Sequence, residues 1–185
     1  VETEMIHLYD LNYNGCVSCF SCKRKGGKSY GHCAVKDDLT PVLEKLAQAD
    51  GVIFGSPIYF GNITGKLRSF FERLMFAYFV YDENYSSLAP KRMPTAFVYT
   101  MNVDSALMEQ YGYRQNLQGM EMFAGRLFGE PQVMHACNTY QFDDYSKYEC
   151  ARFSESEKAA YRDAHFPQEL EEARKIGAAM VAASK

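Results

Sequence analysis

Three apolar residues, Val52-Ile53-Phe54, stand between Asp50-Gly51 and Gly55-Ser56-Pro57. A run this short does not build a helix. It suits a strand buried on both faces of a parallel sheet. Gly55-Ser56-Pro57 is expected to break that strand, and small and aromatic residues continue as a loop to Asn62. Thr64 is placed to cap a helix in which Leu67, Phe70, Phe71, Leu74, Met75 and Tyr78 recur at helical spacing. A buried strand, a glycine-bounded loop and a helix in that order put a binding loop at the carboxyl end of a parallel sheet.

The rest of the chain alternates in the same way. Met5 to Tyr9 reads as a short strand, with His7 as a core or strand histidine among apolar neighbours. Asp37 or Asp38 caps a helix carrying Leu39, Leu43 and Leu46. Pro94 to Thr100 and Gln132 to His135 read as strands, and Met108 to Phe128 as a helix weakened by Gly112, Gly119 and Gly125. A polar, tyrosine-rich connection from His135 to Phe153 has the length of a lid or binding segment. Ser154 to Ser184 holds an amphipathic helix interrupted at Pro167, with Leu170, Ala173, Ile176, Met180 and Val181 toward the core. Alternating strands and helices predict one α/β domain over residues 1–185, with a doubly wound parallel sheet and no repeat or linker.

Hydrophobic residues make up 47% and charged residues 23%, which excludes a disordered class. A net charge of −3 gives no reason to invoke nucleic acid or an anionic membrane. No apolar run has the length of a membrane span and no signal peptide is evident, so the expected compartment is the cytoplasm. In that compartment six cysteines are thiols, metal ligands or redox groups rather than structural disulfides. Cys16, Cys19 and Cys22 recur at two-residue spacing, which wraps three sulfurs toward one point, as in segments that hold a cubane cluster. Cys33 is the candidate fourth ligand, although ten residues separate it from Cys22; a turn at Gly26-Gly27 is expected to absorb them. Three readings stay open: a [4Fe–4S] cluster, reduced thiols without metal, and a zinc site, the last poorly served by so close a spacing. Lys23, Arg24, Lys25 and Lys28 offset thiolate charge, receive an acidic partner or form a solvated loop. Cys137 and Cys150 read as free thiols.

The stretch Gly55-Ser-Pro-Ile-Tyr-Phe-Gly-Asn-Ile-Thr-Gly-Lys-Leu-Arg-Ser-Phe-Phe-Glu-Arg73 resembles the second flavin-contacting loop of the flavodoxin-like NAD(P)H-dependent FMN reductases. The cysteines, and Lys36-Asp-Asp-Leu39 after them, are similar to the iron–sulfur flavoprotein branch. The resemblance implies FMN held largely by main chain of Ser56, Pro57, Ile58, Tyr59, Phe60, Gly61 and Asn62, with Thr100 and Asn102 in a third loop. It implies strand order 2-1-3-4-5, with Met5–Tyr9 as the second strand. The family's first strand and phosphate loop have no counterpart, so the domain is expected to be incomplete at its N-terminus. Implied partners are NADH or NADPH and a small-molecule or ferredoxin-type acceptor, and no side chain is assigned as acid or base because the flavin carries the chemistry. Two alternatives stand beside the reductase: an iron–sulfur electron carrier working with ferredoxin, and a flavin-free thiol protein of the same fold. The helix after Thr64 is apolar on more than one face, which predicts cover by a partner in a homodimer or homotetramer.

Overall fold

The computed structural model describes residues 1–184. The first helix, α1 (Leu39–Gln48), buries Leu39 and Leu46 and leaves Leu43 half-buried. Strand β1 runs Val52–Tyr59 and turns at Phe60-Gly61 into the short β2 (Asn62–Ile63). Helix α2 spans Gly65–Tyr78, strand β3 Thr95–Thr100, helices α3 and α4 Ser105–Gln110 and Tyr113–Phe128, strand β4 Gln132–Ala136, and helix α5 Glu155–Ala183. The sheet order is β2-β1-β3-β4: β1, β3 and β4 are parallel, and β2 is antiparallel to β1.

Alternation along the strands separates two apolar layers, as a pleat of period two requires. Phe54, Phe97 and Tyr99 face α1, α2 and α4 in the main core. Ala96 and Met134 face Ile176 and Met180 of α5 in a smaller core, against which Val98 packs. The α2 stripe predicted from spacing is buried throughout, and Thr64 Oγ1 accepts from Leu67 N at the head of the helix.

Several expectations are corrected. The strand does not stop at Phe54: Gly55, Ser56 and Pro57 continue in register opposite Val98, Tyr99 and Thr100. Proline is tolerated because β1 is at this level an edge strand among the described residues, where a missing N–H costs no ladder bond. Met5–Tyr9 forms no strand; Leu8–Asp10 is a single 3₁₀ turn lying against α2. On the edge of β1 away from β3, no described strand pairs along Val52–Pro57, so the strand that would stand between β1 and Met5–Tyr9 is not there to pair with. His7 is exposed and sits 3.3 Å from Asp10, not in a core. The 108–128 helix is broken once, at Gly112 in the left-handed region (φ 69°), while Gly119 and Gly125 are accommodated within α4. Helix α5 runs through Pro167, whose neighbours are exposed, so the carbonyl it leaves unbonded faces water. Of the predicted α5 core residues Ile176 and Met180 are buried, whereas Leu170 and Ala173 are exposed. The cover for α2 comes from the chain itself: the cysteine segment lies on its carboxyl half, α4 beside it.

Candidate functional site

At the carboxyl end of the sheet, the β1–β2 hairpin closes through two consecutive left-handed residues, Phe60 (φ 52°) and Gly61 (φ 73°). This is the handedness that two-residue hairpins demand, and glycine meets it without strain. Phe60 is a non-glycine residue in that conformation with its ring fully exposed. Tyr59 beside it is more than half exposed. The hairpin is rigidly held from below. Ser56 Oγ donates to Pro57 O and accepts from Thr64 N. Asn62 Oδ1 accepts from Ile63 N, and Asn116 Nδ2 donates to Gly61 O at 3.3 Å.

The sequence-predicted flavin residues are brought together. Thr100 lies opposite Pro57 in the β1–β3 ladder, and Asn102 is the second residue beyond β3. Pro57, Tyr59, Phe60, Asn62 and Thr100 are exposed, Ile58 and Asn102 half-buried, and Ser56 and Gly61 buried. Asn102 Oδ1 is a buried acceptor with no hydrogen-bond partner among the described residues. An unpaired buried carbonyl beside an exposed main-chain edge and two open aromatic rings suits a flat heterocycle with edge N–H groups. The residues present therefore fit the ring portion of FMN.

The 138–139 turn, at the start of the tyrosine-rich connection, packs onto the Asn102 loop. Thr139 N donates to Met101 O, and Asn138 N to Val103 O. Lys158, almost fully buried on α5, clamps both loops by donating to Asn102 O, Asn138 Oδ1 and Thr139 O. Burial lowers its pKa. Beyond this, the connection packs on itself: Phe142 and Tyr148 stack at 3.9 Å and Tyr145 is buried. Nothing in the sequence marked Lys158, since a lysine early in a charged helix is ordinarily solvated.

The second cluster lies along α2. The segment before the cysteines follows the helix from its amino end: Lys66 Nζ donates to Leu11 O, Tyr13 OH to Lys66 O, and Cys16 N to Glu72 Oε2. A Cβ at Gly15 would lie 2.6 Å from Glu72 Oε2, so a larger residue there would displace the carboxylate that accepts from Cys16 N. Cys16, Cys19, Cys22 and Cys33 line one cavity with Val17, Phe20, Val35, Arg73 and Phe76. The ten-residue excursion is closed by Gly31 N donating to Cys22 O at 3.0 Å, with left-handed turns at Gly26 and Gly31. That closure returns Cys33 to the other three. Cys19 is exposed and its thiol pKa is lowered by hydrogen bonds from Ser21; Cys22 is buried and its thiol pKa is pushed up by that burial.

No group of three or more His, Cys, Asp or Glu side chains among the described residues is gathered for a metal ion. A cubane places its own irons and sulfides between the thiolates, so a ring of sulfurs around a cavity is the geometry that suits it. The four cysteines match the donor set of a cluster in identity, and they line one cavity. Of the four basic residues, Lys23 is not solvated: its ammonium donates to Phe76 O and Phe79 O at the carboxyl end of α2 and lies 4.5 Å from the Phe76 ring centroid. Arg24, Lys25 and Lys28 are exposed.

Arg73 is the residue that composition and spacing left unassigned. It is 2% exposed, and its guanidinium spans Asp37 (NH1–Oδ2 2.7 Å, NH2–Oδ1 3.1 Å) in a bidentate pair. The Arg73 hydrogen bond holds the Asp37 carboxyl below its ordinary pKa. A carboxylate lowered in the fold gives stability that is full above its unfolded pKa and lost as pH falls through the folded value. Folding stability is therefore expected to drop with acid below about pH 4, and Asp37→Asn to flatten that slope in urea titrations between pH 5 and 2. An unchanged slope would remove the pair from the acid response.

Among curated proteins, the chain is 40% identical over 73 residues to an iron–sulfur flavoprotein of Methanocaldococcus jannaschii, covering 40% of this chain and 35% of that protein. It is also 40% identical over 72 residues to an iron–sulfur flavoprotein of Archaeoglobus fulgidus, covering 39% and 33%. The chain thus spans about a third of the length of these relatives. Among solved structures, an NAD(P)H:quinone oxidoreductase from Methanothermobacter marburgensis superposes with a TM-score of 0.50 at 16% identity, over 63% of this chain and 58% of the other, a likeness of fold alone. The model of the family described as NADPH-dependent FMN reductase matches residues 1–128, well over half the chain, and the chain belongs to that family.

Proposed function

We propose that this protein is an FMN-dependent oxidoreductase that takes electrons from NADH or NADPH and delivers them to a small-molecule acceptor. The single observation that carries the reading is the β1–β2 hairpin, which presents a fully exposed Phe60 ring at left-handed backbone beside Thr100 and the unpaired Asn102 acceptor. A phenylalanine ring left wholly in solvent on left-handed backbone is a strained, open surface that a ligand or partner would cover. Bound FMN supplies hydride acceptance and electron delivery. The chain's own residues bind and orient it. Main chain of Ser56 to Asn62 lies along the ring edge, Tyr59 and Phe60 cover a ring face, and Thr100 and Asn102 close the site from β3. Lys158 keeps the Asn102 loop in place. No side chain is assigned as acid or base.

A second reading, favoured by the four cysteines around one cavity, is an iron–sulfur flavoprotein that passes electrons to or from a ferredoxin-type carrier. The exposed Arg24, Lys25 and Lys28 would attract an acidic partner. All six cysteines are free, which suits the reducing cytoplasm. A homodimer or homotetramer would cover Phe60 as well as the exposed Phe166 and Leu170 of α5.

The deciding experiment is anaerobic purification of the full-length protein with flavin, iron and sulfide assays, followed by NADH and NADPH titration with a quinone acceptor. Bound FMN bleached by a nicotinamide donor is expected. Iron and sulfide with negligible nicotinamide oxidation would favour the carrier. A protein that takes up no FMN on equilibrium dialysis would leave neither reading standing.

A further inference from the structure

We propose that Arg73 is a positioning residue for the cysteine centre: it fixes Cys33 in place through its Nε–H and raises the reduction potential of a cluster held there. The proposal rests on the iron–sulfur reading above. All five guanidinium N–H groups have acceptors: Nε donates to Cys33 Sγ at 2.8 Å, NH1 to Asn14 O and Asp37 Oδ2, NH2 to Val35 O and Asp37 Oδ1. The acceptors come from both flanks of the cysteine segment, Asn14 before Cys16 and Val35 and Asp37 after Cys33. One side chain therefore ties the two ends of the binding loop to α2. A planar fork can do this with fixed geometry, which a lysine ammonium cannot.

Of the four sulfurs, that of Cys33 is the one a guanidinium touches among the described residues. A hydrogen bond from a cation stabilises negative charge on sulfur, and the reduced cluster carries one more negative charge than the oxidised one. Hydrogen bonds to cluster sulfurs are a recognised control of potential. Asp37 makes the buried cation tolerable without competing for its Nε–H, since the carboxylate takes only the terminal nitrogens. Arg73 also stands eight residues beyond the start of α2, about 12 Å along the axis from the hairpin end of the helix. The centre and the candidate flavin loop thus occupy two stations on one rigid element, and their relative potentials set which of them holds electrons.

The test uses the full-length protein reconstituted anaerobically with ferrous iron and sulfide. Wild type is expected to load a cluster, and Arg73→Lys, which keeps the charge and loses the fork, to load it with a lower midpoint potential. A tenfold shift of the one-electron equilibrium, ~59 mV, is the expected scale. Pulsed EPR of the reduced wild type labelled with ¹⁵N-arginine is expected to show a nitrogen coupling to the cluster, a readout that stands even if Arg73→Lys fails to fold. A loaded variant with the wild-type midpoint, or a loaded wild type without the arginine coupling, overturns the role of Arg73 and leaves the cluster intact. A wild type that retains no iron or sulfide overturns the cluster reading, and this role with it.

Discussion

A protein carrying Gly61→Val is expected to lose its flavin and several kcal/mol of stability together. Gly61 is buried at φ 73°, where a side chain costs roughly 1–2 kcal/mol and a β-branched one more. Its Cβ would also sit 2.9 Å from two ring carbons of Tyr113, a residue packed against the main core. The hairpin cannot keep its turn and its seat on α4 at once. Because Ile58 and Tyr59 are paired to Ile63 and Asn62 across that turn, opening it moves every main-chain group proposed to lie along the ring. Gly65→Ala is the control. Gly65 begins α2, a Cβ there would meet nothing within 4 Å, and the change should be neutral or stabilising by up to ~1 kcal/mol. Flavin absorbance after reconstitution and urea midpoints measure both. A Gly61→Val protein that binds FMN with wild-type affinity would separate the hairpin from the cofactor.

Phe71→Ala should be the costliest simple truncation, lowering folding stability by about 3–5 kcal/mol. Phe71 is 1% exposed, with its ring centroid 4.9 Å from Phe54 of β1 in an edge contact, 5.7 Å from Phe70 and 5.8 Å from Phe97 of β3. Removing it opens a void between α2 and the two central strands, in aromatic surroundings that relax only partly. Set against a typical total of about 5–15 kcal/mol, the loss approaches a large share of the fold's stability. The site should feel it as well, since Phe54 lies two residues before Ser56. Chemical denaturation at fixed flavin concentration reads the loss, because bound ligand would mask part of it. A decrease under 1 kcal/mol would mean that this aromatic layer is not the keystone of the core.

How much of the site was legible depends on how local its cause is. The α2 stripe from Leu67 to Tyr78 and its Thr64 cap follow from a repeat of 3.6 residues and one hydroxyl, and both stand as read. The candidate flavin loop was named from its residues, but its form was not read: Gly55-Ser56-Pro57 looked like a strand break and is strand, because pairing to β3 outweighs local turn propensity. Met5–Tyr9 failed in the opposite direction, being β-prone without a strand to pair with. Arg73 did leave a trace, a charge three residues after Phe70 and four before Ala77 on a buried face, and a charge in such a position needs a partner. The name of that partner was not in the pattern.

From the chain alone came the alternating elements, the apolar faces, the glycine-bounded loop after the first buried run and the crowding of four cysteines near one end. These depend on neighbours within a turn or two, where backbone geometry repeats. The three-dimensional structure alone decided that Thr100 stands beside Pro57 and that Asn14, Cys33 and Asp37 converge on one guanidinium from positions 36 to 59 residues away. It also decided that a lysine at position 158 ties the Asn102 loop to the Asn138–Thr139 turn. Such meetings arise from how whole helices pack on a sheet, and no local repeat encodes them.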